Sequence, residues 1–278
     1  MPSSVICVLL FAALVVGPGA SSRAAQWGRI GCPHCQNDGS EMSQLLQKAD
    51  AFYLAFKPDE TQKELLKALR LDPRNHEVLS KLARVHIDFG DRIPEAGPGW
   101  QEKRMRQYSI AEDYARRAIE ADAESTWGYF YVAFSLGKIA VLSPIPKQIE
   151  LSREIQGAVE KAIALDPENG YAYHLYGVWH RRMAEIGQMK RALASVLLWR
   201  PLPSGSMEKS VEYLKKAIAL DPGVISHHLE LAKTYVAMNH WHLARSSLKP
   251  ALELPVQFSD DRGNRREAQQ LLQEIRGR

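Results

Sequence analysis

Four residues near the amino end, Cys32-Pro33-His34-Cys35, have types and spacing suited to thiol chemistry. Two cysteines separated by two residues can close a small disulfide and pass it on, the first thiolate acting as nucleophile. Such a site works when the pair opens a helix that directly follows a buried strand, because the helix dipole lowers the first thiol's pKa. Here only Gln26-Trp27-Gly28-Arg29-Ile30-Gly31 lies between an apolar leader and the pair, and no strand pattern precedes it. Zinc meets a similar obstacle. Structural zinc takes four ligands, His34 would be a third, and no second cysteine pair or spaced histidine pair completes the set. The motif therefore reads as a local disulfide or two free thiols in a leader. A thiol–disulfide oxidoreductase using Cys32 and Cys35 stays open as the alternative from another function class.

The histidines point the same way. His227-His228 opens one helical stretch and His240-Trp241-His242 sits between two others. Residues i and i+2 point to different sides of a helix, and no carboxylate or cysteine joins these at ligand spacing, so they read as partly exposed turn histidines. The basic clusters His180-Arg181-Arg182 and Arg262–Arg266 read as solvated helix faces, with a dock for an acidic partner as their functional alternative. No nucleophile elbow, phosphate loop or paired-carboxylate motif is present. The reading is of a protein that is not an enzyme, with no catalytic residue, cofactor or metal ligand assigned.

Composition narrows the partners. A chain of 278 residues with 45% hydrophobic and 24% charged residues is ordinary for a protein with a sizeable core. A net charge of +4 makes no case for nucleic acid. The amino terminus differs in kind: residues 5–16, VICVLLFAALVV, are apolar but too short to span a bilayer as a relaxed helix. Small residues and helix breakers follow, consistent with a signal-peptidase site after Ala25. Three addresses are open: export, a mitochondrial presequence, or an uncleaved anchor. Residues 1–25 form this signal or anchor, 26–39 a flexible leader carrying the cysteine pair, and 40–278 a helical repeat domain.

The repeat is the strongest feature of the chain. ALRLDP at 68–73 returns as AIEADA at 118–123, AIALDP at 162–167 and 217–222, and ALELP at 251–255. Each is the end of an amphipathic helix, and in three of the five Asp-Pro stops it, because proline lacks an N–H and disfavours helix in the residue before it. Aligned from each stop, the next helices place Leu82, Val132, Tyr176 and Leu231 at a seventh position, and Ala83, Ala133, Gly177 and Ala232 at an eighth. A large residue beside an obligately small one is what two closely packed helices require. This pattern resembles tetratricopeptide repeats. The last unit spans 34 residues, whereas spacings of 50, 44 and 55 place insertions near 91–107, 141–149 and 185–206. GDRIPEAGPGWQ and LSPIPKQIEL read as connecting loops, and the carboxyl end as a capping helix. The expected fold is all-α: a tetratricopeptide-like solenoid of about five helix pairs with a C-terminal cap.

The stretch from about 125 to 275 is similar to one repeat family, the regulators of microtubule dynamics. LGKIAVLSPIPKQIELSREI, AIALDPENGYAYHLYGVWH, LLWRPLPSGSMEKSVEYLKKAIALDP and LARSSLKPALELP carry the resemblance. It implies a non-enzymatic adaptor associated with microtubules, in the cytoplasm, at spindle poles or at organelle membranes, including the mitochondrion. A secretory address would leave instead an exported or membrane-tethered scaffold. Partners are proteins met on the concave face of the solenoid, with Tyr129, Tyr173, His180 and Lys233 as groove candidates from helix register. A membrane is met only through the amino-terminal segment, if that segment stays uncleaved.

Overall fold

The recurring Asp-Pro phrase ends a helix wherever the sequence places it. The structure, a computed structural model, describes residues 40–186 and 203–278. Among them are eleven helices and no strand: α1 (Glu41–Leu54), α2 (Pro58–Leu71), α3 (His76–Arg92), α4 (Trp100–Ala121), α5 (Thr126–Leu142), α6 (Ile145–Leu165), α7 (Gly170–Ala184), α8 (Met207–Leu220), α9 (Ile225–Ala237), α10 (Trp241–Glu253) and α11 (Asp261–Glu274). Successive helices pack as α1/α2, α3/α4, α5/α6, α7/α8 and α9/α10, and α11 covers α9 and α10. That is the expected all-α solenoid of five pairs with a cap.

The turn between pairs is built from its own side chains. Asp72, Asp122 and Asp166 each accept, through the carboxylate, the N–H two residues on, at 3.0 Å. Their backbone carbonyls take the N–H of Asn75, Ser125 and Asn169. Those three side chains then cap the next helix, accepting from Val78, Gly128 and Ala172 at 3.0, 3.2 and 3.0 Å. Each cap is worth about 1 kcal/mol. The turn at Asp221 keeps the backbone bond to Val224 but offers no side-chain cap.

All the seventh and eighth repeat positions are buried. The tightest is Gly177, where a Cβ would lie 2.7 Å from Leu214 Cγ and 3.2 Å from the Ser210 carbonyl oxygen. Only a residue without a side chain lets α7 and α8 approach so closely.

One insertion differs from its reading as a loop. In LSPIPKQIEL only Ser143 and Pro144 break the helices, and α6 begins at Ile145 with proline in its first turn. Proline is tolerated there because that N–H has no partner within the helix. The added length has gone into α6, which runs 21 residues, as α4 runs 22, against 14 for α2. The first insertion does hold a connecting loop, at residues 93–99, where Gly97 and Gly99 take positive φ of 81° and 70°. Most of the third lies outside the described residues.

The histidine reading needs a correction as well. His240 and His242 are exposed at their turn, but His227 and His228 are buried in the first turn of α9. His227 meets His174 of α7 at 3.0 Å, and His228 turns to the Pro222 carbonyl at 2.9 Å.

Candidate functional site: the inner groove

Successive A helices touch one another, α3 with α5, α5 with α7 and α7 with α9, whereas successive B helices do not pack to that extent. The A helices therefore line the inside of the curve. Their inward residues form two zones.

The first zone is aromatic. On α5, Trp127 meets Phe130 edge-on with centroids 5.5 Å apart, and Phe130 lies 5.6 Å from Phe134. Tyr171 of α7 joins Trp127 at 6.3 Å and His227 of α9 at 5.4 Å. His174 and His227 meet through their Nδ1 atoms at 3.0 Å. One ring must donate and the other accept, so the pair cannot hold two imidazolium ions. Burial lowers the pKa of both rings, that of His174 to about 4.

The second zone is charged and mostly buried. Arg84 Nε donates to Tyr53 Oη at 3.0 Å and its Nη2 lies 3.4 Å from Asp88 Oδ1. Burial pushes the Asp88 carboxyl up and Arg84 opposes it; burial works against the Arg84 charge, but Asp88, Tyr53, Tyr131 and Asp260 together hold it above its ordinary pKa. Beside them Lys81, only 1% exposed, bridges Asp50 at 2.6 Å and Glu77 at 3.1 Å. Burial lifts Asp50 to about 6 despite that lysine. Further along, Arg181 of α7 pairs with Glu230 of α9, and Lys233 bridges Glu230 at 2.8 Å and Glu267 at 2.7 Å. Burial would raise Glu230, yet Lys233 and Arg181 hold it near 2.

A segment of the chain itself lies in this groove. Between α10 and α11, Asp261 Oδ2 accepts the N–H groups of Gln257 and Phe258 at 2.6 and 2.8 Å. Gln257 Nε2 donates to the Gly223 carbonyl at 3.2 Å. The Phe258 ring, 4% exposed, stands edge-on to Tyr171 at 6.2 Å. Ser259 Oγ donates to Asp88 Oδ1 at 3.1 Å. The segment thus touches the start of α9, then α7, then α3.

The four groove candidates do not form one surface. Tyr173 and His180 meet at Tyr213 of α8, with centroids 6.0 and 5.4 Å away, between the helices of one pair. His180 is buried there, and burial lowers its pKa to about 4. Tyr129 is half-buried against the amino-terminal core. Lys233 alone joins the inner charged network. Arg84, Asp88, Tyr171, Phe258 and Ser259 were not legible from helix register. The i,i+4 pair Arg84–Asp88 within an apolar helix was the available signal; the Phe258 segment gave none. Cys32 and Cys35 lie outside the described residues. Among the described residues no cluster of three His, Cys, Asp or Glu could hold a metal, and no helix is long and apolar enough to cross a membrane.

Comparison with known proteins agrees with this architecture. The family model described as Regulator of microtubule dynamics protein 1-3 matches residues 45–276. Regulator of microtubule dynamics protein 1 of Bos taurus is 31% identical over 235 residues, covering 84% of this chain and 71% of that one. Protein 3 of Xenopus laevis is 28% identical over 227 residues, covering 80% of this chain and 47% of that one. Among solved structures, a thermophilic TPR protein of Thermus thermophilus superposes with a TM-score of 0.58 at 17% identity, over 84% of this chain and 99% of that one.

Proposed function

The chain belongs to the regulator of microtubule dynamics family, and from that premise we propose a non-enzymatic interaction scaffold that associates with microtubules. The observation that carries the scaffold reading is the seating of a non-helical segment along the inner groove, from Gly223 past Tyr171 to Asp88. Apolar anchors with charged neighbours to fix orientation are what peptide recognition by a helical groove uses. The microtubule part rests on the family. Exposed Arg262, Arg266, Arg276 and Arg278, on and after α11, add a basic end for an acidic surface.

Co-sedimentation with polymerised tubulin tests this reading. Saturable pelleting that weakens with added salt is expected, and a chain that stays in the supernatant at all tubulin concentrations removes the microtubule part. Residues 1–25 set the address. An amino terminus of the native protein near Gln26, recovered outside the cytosol, would leave an exported scaffold and remove that part too.

A further inference from the structure

We propose that the inner groove is a receptor for an extended protein segment carrying an aromatic residue followed by an acidic residue, and that Leu254–Asp261 is the chain's own occupant of that receptor. The proposal rests on the scaffold reading and names the chemistry of its partner.

Three observations support it. First, the segment is held to the solenoid by a few side chains, while its shape is held from within. Gln257, Phe258 and Ser259 make the contacts outward. The bonds from Asp261 to the Gln257 and Phe258 amides, and from Arg265 to the Leu254 carbonyl, stay inside the turn and the start of α11. The shape of the turn therefore does not depend on the groove, and the Phe258 ring contact and the Gln257 and Ser259 hydrogen bonds are what tie it there.

Second, the receiving surface has a matching feature at each place the segment touches. Tyr171, backed by Trp127 and Phe130, offers an aromatic slot for one ring. Asp88, braced by Arg84, offers a buried acceptor for the hydroxyl or amide donor that follows. At the Ser259 end lies a small recess of about 10 Å³, whose lining includes Lys57, Asp88, Arg92 and Ser259. That is room for one water at most.

Third, charge sets the direction. Lys57 and Arg92 are exposed beside that recess, and the exposed residue following Ser259 is Asp260, whereas the Asp261 carboxylate is turned inward to the Gln257 and Phe258 amides. Burial acts against the charge of both Arg84 and His174, and Asp260 is near enough to oppose it in part at each, so a negative charge here is felt by the groove. A partner segment with an aromatic residue and then a carboxylate reproduces this order.

A synthetic peptide of residues 254–262, Leu-Pro-Val-Gln-Phe-Ser-Asp-Asp-Arg, is titrated into three full-length proteins: wild type, Phe258→Ala and Ser259→Asp. The last sets a carboxylate against Asp88 and opens no cavity, so it tests the groove even if Phe258→Ala folds poorly. An intramolecular occupant lowers apparent affinity by the fraction of open groove, so either folded variant should bind the peptide about tenfold or more tighter than wild type. The same peptide with alanine for phenylalanine should not bind. Folded variants that bind no tighter than wild type overturn the proposal. Peptide binding by a protein that does not pellet with tubulin supports the groove while removing the microtubule reading.

Discussion

Ser259 Oγ donates a hydrogen bond to Asp88 Oδ1 at 3.1 Å, joining residues 171 apart in the chain. Asp88 is 4% exposed and already faces Arg84, so the bond completes a buried polar cluster that also includes Tyr53. A buried carboxylate keeps its charge only when its lone pairs find donors. This one is served from both ends of the repeat array.

Ser259→Ala should destabilise the protein by about 1 kcal/mol, since one donor to a buried carboxylate is lost while Arg84 remains. Urea unfolding should show a lower midpoint at an unchanged slope. A changed slope would indicate that the segment opens separately from the rest.

Gly177→Ala should cost about 1–3 kcal/mol, because the new methyl would meet Leu214 Cγ at 2.7 Å. The double variant with Leu214→Ala should lose less than the two single losses added together, since the second change makes room for the first. Thermal unfolding of the four proteins gives the coupling.

His174 predicts an acid sensitivity of defined sign. Its folded pKa is about 4, below the ordinary 6.5, so the unfolded chain binds the proton more readily between those values. Stability is then full above about pH 6.5 and falls as pH drops toward 4, by at most about 3 kcal/mol. The melting temperature of His174→Gln should fall less steeply than that of wild type over this window. Parallel curves would mean that the ring is not held neutral.

Arg181 and Glu230 link α7 to α9, and Lys233 shares the carboxylate. Arg181→Met should cost about 2 kcal/mol, below the ~3–5 kcal/mol of a fully broken buried pair, because Lys233 still pairs. Glu230 is held near 2 against an ordinary 4.5, so its contribution is present above about pH 4.5 and is lost as pH falls toward 2. In Arg181→Met that acid-dependent loss should shrink, as read by melting temperatures between pH 5 and 2.5.

The boundaries of the repeats were legible because they are local. An Asp-Pro stop, an Asn or Ser cap and an alanine every four or so residues act within one or two turns of chain, so Asp72, Asn75 and Ala83 announce their roles wherever they stand. LSPIPKQIEL misread as a loop shows the limit even there, since proline both stops a helix and starts one.

Sequence by itself determined the class of fold, the number of helix pairs, the cap and the family resemblance. Tertiary structure alone decided what fills the groove and which charges are buried. His227 and Ser259 carry no mark of their places in the sequence, because those places depend on how far the array curves. Curvature sums small rotations between neighbouring pairs, and each rotation is set by how side chains such as Gly177 and Leu214 interlock. Only the accumulated curve brings residue 259 to residue 88.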